Sequence, residues 1–241
     1  MAQVPAAFPG VRPLLRDIMQ FAARPTPPER QVPWGKTLLA MLGVLLALDI
    51  ALTMGVVALL TGAEALGYEP PPYVDLDLPK PVMWLLVVGL APIAEEIVFR
   101  GWLSGRKGAL VLAVVGFAGV AALVFAETYA PSAADMVGLV ALAALGFALV
   151  YWLATLRQDQ PMLPRFRQFY PLFVWLSSIV FGAIHLGNYE GAPEIVDVLI
   201  VLPQTLGGLV IAFTRTRLGL RAAILHHALF NAIAFALEPF L

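Results

Sequence analysis

Cysteine is absent from the 241-residue sequence, and this absence excludes disulfide bonds, cysteine metal sites and thiol nucleophiles. Charge is also scarce, because Asp, Glu, Lys and Arg together make up only 13% of the chain, against roughly a quarter in soluble domains. No stretch combines clustered basic residues with aromatic ones, so the sequence argues against a nucleic-acid partner. The net charge of −1 does not indicate any particular class of partner.

Long hydrophobic runs make up most of the remaining sequence. Hydrophobic residues account for 60% of the chain and its mean hydropathy is +0.84, which is typical of a membrane protein. A helix needs roughly 20 apolar residues to cross a hydrocarbon core about 30 Å thick. Seven stretches approach that length: 37–62, 81–103, 109–126, 136–156, 170–187, 195–213 and 218–237. The sequence therefore predicts an all-α fold, a polytopic transmembrane helical bundle of about seven spans within residues 37–241.

Residues 1–36 are predicted to form a cytosolic lead-in to the first span. They are rich in proline and basic residues but contain no continuous apolar core, so they do not have the form of a signal peptide. Within them, Val11–Ala23 is expected to form a helix at the membrane interface, with Arg12 and Arg16 beside apolar residues.

The loops alternate in the sign of their charge. The lead-in and every second connector after it are basic, with Arg12, Arg16, Arg24, Arg30, Lys36, Arg106, Lys107, Arg157, Arg165, Arg167, Arg215 and Arg217. The opposite connectors are acidic apart from Lys80, with Glu64, Glu69, Asp75, Asp77, Glu127, Asp135, Glu190 and Glu194. Since basic loops stay in the cytosol, this pattern predicts a cytosolic N-terminus. It suits a multi-pass protein of a prokaryotic plasma membrane, with the endoplasmic reticulum as the alternative location.

Three charged residues lie inside the second span, where each costs about 2.5–3.5 kcal/mol on insertion scales. Glu96 and Arg100 are four residues apart on one helix face, so we expect them to form an ion pair. Glu95 lies about 100° around the helix and is left as a candidate general base. The alternative is that all three residues form a structural ion-pair cluster between helices.

Further polar residues lie in the fifth and seventh spans. Phe181 and His185 are one turn apart on one face, and His227 and Asn231 repeat that spacing, whereas His226 points elsewhere. Each histidine, taken alone, is also explained as a hydrogen-bonded core residue or as polar contact between packed helices. Together with Glu95 they make a set that could activate a water molecule and stabilise an oxyanion.

These residues, in this order, resemble the motifs of the CPBP family of intramembrane proteases, which includes type II CAAX prenyl endopeptidases and bacterial Abi-type proteins. The motifs are EEIVFR at 95–100, FGAIH at 181–185 and HALFN at 227–231. The resemblance covers a core of about 78–236. It departs from the family's pattern in one respect, because the third and fourth spans form an apparent extra hairpin between the first two motifs.

The resemblance implies a role for each matching residue. Glu95 and His185 would activate the attacking water, and His227 and Asn231 would bind the tetrahedral oxyanion. The residues that would support the shape of the site are Glu96, Arg100 and Phe181. The family has been described both as metalloproteases and as glutamate-dependent proteases. Glu95, His185 and His227 could ligate zinc, although the chain has no His-Glu-x-x-His helix, and we favour direct activation of water without deciding on a metal.

The function implied is hydrolysis of a peptide bond in a membrane-associated protein or peptide, including prenylated CAAX-type substrates. Membrane lipid and that substrate are the expected partners. One alternative is a proton-coupled carrier, in which the intramembrane residues Asp49 and Asp197 would join a relay. No internal repeat with matching broken helices supports that alternative. Another is a non-catalytic immunity or scaffold member of the same family.

One geometric question stays open in the sequence. At 1.5 Å per residue, Glu95 lies about 21 Å from the outer start of its span, and His185 about 22 Å from the inner start of its own. In a hydrocarbon core of about 30 Å, upright helices would leave the two residues about 13 Å apart in depth. Helix tilt, or a fifth span that starts lower than Tyr170, could close that gap.

Overall fold

The computed structural model describes residues 8–27, 31–74, 76–156, 158, 161–191 and 195–237. Its principal helices are α1 (Val11–Ala23), α2 (Lys36–Glu64), α3 (Lys80–Ser104), α4 (Lys107–Tyr129), α5 (Pro131–Thr155), α6 (Tyr170–Asn188), α7 (Asp197–Arg217) and α8 (Leu220–Leu237). The seven helices α2–α8 are long and apolar enough to cross a membrane, which confirms the predicted all-α fold of seven spans. Within the described ranges there is no strand, only an isolated bridge between Tyr73 and Tyr189.

Parts of the predicted lead-in and loops lie outside the described residues: 1–7, 28–30, Asp75, Arg157 and Glu194. The cytosolic position of the N-terminus therefore stays a prediction from the loop charges. Most apolar side chains of the spans are exposed on the surface of the protein, as is required of helices that are solvated by lipid rather than by water.

Helix α1 covers the predicted range, and its apolar face packs on the membrane domain. Its buried side chains are Leu14, Ile18 and Phe21. The Phe21 ring meets the Phe213 ring of α7 edge to face, with centroids 5.3 Å apart. Arg217 joins this contact, since its guanidinium lies 5.5 Å from the Phe21 ring centroid and donates to the Asp17 carboxylate at 3.2 Å. The apolar face of α1 is thus packed against other helices of the protein. The position of α1 at the membrane interface remains a prediction.

The chain divides into two compact units. One contains residues up to Arg100 together with those from Tyr170 onward, and α7 is its most buried span, packed against α2, α6 and α8. The other, Gly101–Phe169, contains α4 and α5, which pack on each other. Small residues allow these two helices to approach, because a Cβ on Gly119 would lie only 3.2 Å from that of Ala141. All of the predicted site residues belong to the first unit.

Close packing of α6 on α7 depends on Gly182. A Cβ at this position would lie 2.0 Å from the Thr205 hydroxyl oxygen and 3.2 Å from its backbone nitrogen. We therefore expect Gly182→Ala to push the two helices apart and to lower the free energy of unfolding by about 1–3 kcal/mol. Thermal unfolding in detergent would measure the loss. Gly55→Ala in α2 is the matched control, because nothing lies within 4 Å of its Cβ position, and an equal loss there would contradict the packing explanation.

Candidate active site

Proline sets the local structure from which the first motif begins. Pro92 has no N–H, and its ring disfavours an ordinary helical turn before it. The six residues Leu85–Leu90, which end two positions before Pro92, are π-helical, and the Ala91 N–H donates to Leu86 O, five residues back instead of four. A regular α-helix then runs over Ala91–Arg100 and carries all three charged residues of the motif.

The predicted pair between Glu96 and Arg100 is present. Arg100 Nη1 donates to Glu96 Oε1 at 2.8 Å, and both side chains are fully buried. Arg100 Nη2 also donates to the carbonyl of Gly208 in α7, at 3.3 Å. A Cβ on Gly208 would lie 2.9 Å from that guanidinium nitrogen, so glycine at this position makes room for the arginine. The backbone carbonyl of Arg100 in turn accepts from Arg215 Nε at 3.1 Å.

His227 of α8 lies between the two carboxylates of the motif. Its Nδ1 is 3.0 Å from Glu96 Oε1, and its Nε2 is 3.7 Å from Glu95 Oε2. Because a carboxylate only accepts, Nδ1 carries the proton in the first of these contacts. Glu95 keeps 27% of its side chain exposed, whereas Glu96 is sealed. The sequence separates Glu95 from Glu96 correctly by the helix wheel, but it does not reveal that one imidazole touches both.

Phe181 brings the second motif against the other two. The guanidinium carbon of Arg100 lies 3.9 Å from the centroid of its ring. The rings of His185 and His227 meet the same phenyl ring edge to face, at 4.8 and 5.7 Å between centroids. Both histidines and the Glu96–Arg100 pair therefore share one neighbour.

This contact answers the question of depth that the sequence leaves open. Spans two and five run in opposite directions in a seven-span chain, and Phe181 places Arg100 beside the last turns of α6. From that level, His185 follows Phe181 by four residues, or about 6 Å, and Glu95 precedes Arg100 by five, or about 7.5 Å, in the same direction. Counting from the predicted span ends therefore overstates the difference in depth between Glu95 and His185.

His185 begins the tight 3₁₀ turn that ends α6. Its Nδ1 is 2.7 Å from the carbonyl oxygen of Phe181. Since a carbonyl only accepts, Nδ1 holds the proton of the neutral ring, and Nε2 is left with a lone pair. That nitrogen is able to accept a hydrogen bond from a water molecule.

Asn231 bonds to the π-helical part of α3. Its side-chain nitrogen donates to the carbonyl oxygen of Val87 at 2.8 Å. The carbonyl accepts only one of the two amide hydrogens, so the second N–H remains for another acceptor. One feature of the sequence points to this contact. Pro92, which has no N–H, lies within a run of residues that otherwise predicts a regular helix.

The two intramembrane aspartates both lie beside other polar side chains. Asp49 is buried in α2, and its Oδ2 lies 3.3 Å from Nε2 of His226, the histidine that points away from the site. His226 Nδ1 is in turn 3.0 Å from the Thr214 hydroxyl. Asp197 accepts from the Tyr68 hydroxyl at 2.9 Å. Neither residue is placed among the motif residues by these contacts.

A short clasp joins the loop before α3 to the end of α6. Val74 N–H donates to Asn188 O at 2.8 Å, and the rings of Tyr73 and Tyr189 meet edge to face at 5.2 Å. Burial, with a smaller contribution from Tyr73, raises the pKa of the Tyr189 hydroxyl above its ordinary value. The clasp lies only a few residues beyond His185, so it anchors the end of the helix that carries this histidine.

The zinc hypothesis requires Glu95, His185 and His227 to converge on one ion. Among the residues that the structure describes, no three His, Asp or Glu side chains are grouped so that they could hold a metal. The hydrogen bonds of the two histidines do not decide the matter, because they involve Nδ1 only and zinc-binding histidines commonly make such bonds with their other nitrogen. Since the described side chains are not grouped around one point, the arrangement does not fit a zinc site, and no step below runs through a metal.

The comparisons with known proteins support the resemblance seen in the motifs. The family model described as type II CAAX prenyl endopeptidase Rce1-like matches residues 77–158 and 160–233. The match covers well over half of the chain and contains all three motifs. Comparison with curated proteins gave no significant match, and neither did comparison with solved structures.

Proposed function

This chain belongs to the type II CAAX prenyl endopeptidase Rce1-like family, and from that premise we propose that it is an intramembrane endopeptidase in which Glu95 activates the attacking water. The observation that carries the assignment is the contrast between two adjacent carboxylates. Glu96 is fully buried and bonded to Arg100 and His227, whereas Glu95 remains partly exposed beside His227. A sealed, paired carboxylate stabilises the site, and an accessible one is able to accept a proton from water.

In the proposed reaction, Glu95 takes a proton from water while the water oxygen forms a bond to the carbonyl carbon of the substrate. His185 Nε2 accepts the second hydrogen of that water and orients it. The negative charge that develops on the carbonyl oxygen is stabilised by the second N–H of Asn231, and by His227 Nε2 when both ring nitrogens carry a proton, because the Nδ1 proton is already donated to Glu96. The C–N bond then breaks, and the proton held by Glu95 passes to the leaving amine.

The proposed substrate is a protein or peptide held at the membrane by a prenylated C-terminal cysteine, the class that the family description names. The test uses purified protein in liposomes with a farnesylated CAAX peptide, and the same peptide without the prenyl group. We expect release of the C-terminal tripeptide from the prenylated form. A non-catalytic member of the family would cleave neither peptide, and a proton-coupled carrier would instead acidify the liposome interior.

Asn231→Ala is expected to lower kcat by about 10²–10³-fold with little change in KM, because an oxyanion donor acts in the transition state and not in substrate binding. Initial rates on the prenylated peptide would measure both constants. An increase in KM at unchanged kcat would contradict this role and would place Asn231 in substrate binding.

A further inference from the structure

The π-helical segment of α3 leaves one backbone carbonyl without its regular partner. In this segment a carbonyl bonds to the N–H five residues later, as Leu86 O does to Ala91 N–H. By the same rule the partner of Val87 O is Pro92, which has no N–H. The donor that reaches Val87 O is instead the side-chain amide of Asn231, at 2.8 Å.

The bond is strongly favoured by its surroundings. An unbonded carbonyl within a membrane span costs several kcal/mol, since lipid offers no replacement donor. A carbonyl only accepts, so the nitrogen of the Asn231 amide must face Val87 and the amide is not free to flip. The second N–H then has a fixed direction, which is the requirement for a preorganised oxyanion donor.

The contacts between α8 and α3 also depend on the π-helical segment Leu85–Leu90, called the π segment below. His227, Asn231 and Phe235 follow each other at intervals of four residues on one face of α8. They contact Glu96 after the segment, Val87 within it and Trp84 before it, the last as an edge-to-face ring pair at 5.2 Å. Converting the segment to a regular α-helix would rotate Trp84 by about 100° relative to Glu96.

We propose that Pro92 is a positioning residue that acts through Val87: by withholding an N–H, it reserves the Val87 carbonyl for Asn231 and fixes the direction of the Asn231 amide. This inference rests on the proposed function, because Asn231 is taken to serve the reaction. It explains why a proline stands three residues before the proposed base, in a helix where its loss of a hydrogen bond must be compensated.

The kinetic test is a double-mutant cycle. Pro92→Ala restores an N–H that competes for Val87 O, so we expect kcat on the prenylated peptide to fall at least about tenfold, with KM changed less than about twofold. Because both residues act through one bond, Pro92→Ala combined with Asn231→Ala should be no slower than Asn231→Ala alone. Losses that multiply in the double variant, or full activity in Pro92→Ala, would overturn the proposal. Pro81→Ala is the control, since a proline in the first turn of α3 withholds no required N–H.

A second test needs no activity, so it separates this inference from the proposed function. The chain contains no cysteine, and a single pair can therefore be introduced without background. With Trp84→Cys and Phe235→Cys in place, a short thiol crosslinker should join α3 to α8 efficiently. Adding Pro92→Ala should reduce that yield severalfold. The control pair is Tyr73→Cys with Tyr189→Cys, whose rings are also 5.2 Å apart but lie outside the π segment.

An unchanged Trp84–Phe235 crosslink in Pro92→Ala would overturn the proposal, whatever the activity of the protein. Should Pro92→Ala lose both crosslinks through unfolding, Asn231→Asp provides the deciding measurement. A carboxylate cannot donate to Val87 O, so this variant should also weaken the Trp84–Phe235 crosslink while the tyrosine pair is retained. Full retention of both crosslinks in Asn231→Asp would contradict the proposed tie between α8 and the π segment.

Discussion

Glu95→Gln is expected to abolish peptide hydrolysis while the protein remains folded and inserted in the membrane. Glutamine has nearly the same shape but cannot accept a proton from water, so we expect the rate to fall by about 10²–10⁴-fold, the usual contribution of a general base. Stability should change little, because the Glu95 side chain is partly exposed and its contact to His227 is long, at 3.7 Å. Cleavage of the prenylated peptide in liposomes and thermal unfolding in detergent would measure the two properties.

The matched control for this substitution is Glu127→Gln. Glu127 lies near the end of α4, in the unit that contains none of the motif residues. Glu127→Gln changes the protein's net charge by the same amount as Glu95→Gln, and we expect it to retain both peptide hydrolysis and stability. Undiminished cleavage by Glu95→Gln would remove Glu95 from the role of base and would favour the structural interpretation of the charged cluster.

Glu96→Ala, unlike Glu95→Gln, should destabilise the fold as well as lower activity. It leaves Arg100 fully buried without its paired carboxylate, beside the Gly208 carbonyl and the rings of Phe181 and Phe99. Breaking a buried ion pair by removing one partner costs about 3–5 kcal/mol, because an uncompensated charge remains inside the protein. Thermal unfolding in detergent would measure the loss. The neighbouring substitution Glu95→Gln serves as the comparison, since it removes a charge that the structure leaves partly exposed.

Removing both partners tests whether the cost comes from the unpaired charge. Arg100→Met added to Glu96→Ala replaces the guanidinium with an apolar side chain of similar length, so part of the lost stability should return. Activity should not return, because His227 would still lack the carboxylate that holds its Nδ1. If the double variant were less stable than Glu96→Ala alone, the ion pair would not be the source of the effect.

The position of His227 changes how the site is understood. From the motifs, it is expected to bind the oxyanion, with Glu95 working beside His185. In the structure it also lies between Glu95 and Glu96, at 3.7 and 3.0 Å, which makes it the residue that links the proposed base to the buried pair. Substitutions of His227 should therefore combine the loss of activity of Glu95→Gln with part of the instability of Glu96→Ala.

Features that depend on composition and on spacing within one helix follow from the amino-acid sequence alone. Continuous apolar runs of about 20 residues identify spans wherever they occur, so all seven were predicted close to their observed bounds. The Glu96–Arg100 pair was predicted for a similar reason, since residues four apart on a helix are neighbours in any fold. The three motifs are short segments read directly from the chain, and the family match covers them.

Which helices meet, and at what level, follows from the packing of the folded chain. The contact of Phe181 with Arg100 and both histidines depends on helices that approach closely at Gly182 and Gly208, and no periodicity within one span encodes which helix lies beside it. The bond from Asn231 to Val87 depends on a change of helical register before Pro92, followed by a neighbour that supplies the missing donor. Such contacts join residues far apart in sequence, so packing between helices determines them, and the sequence of either helix alone does not.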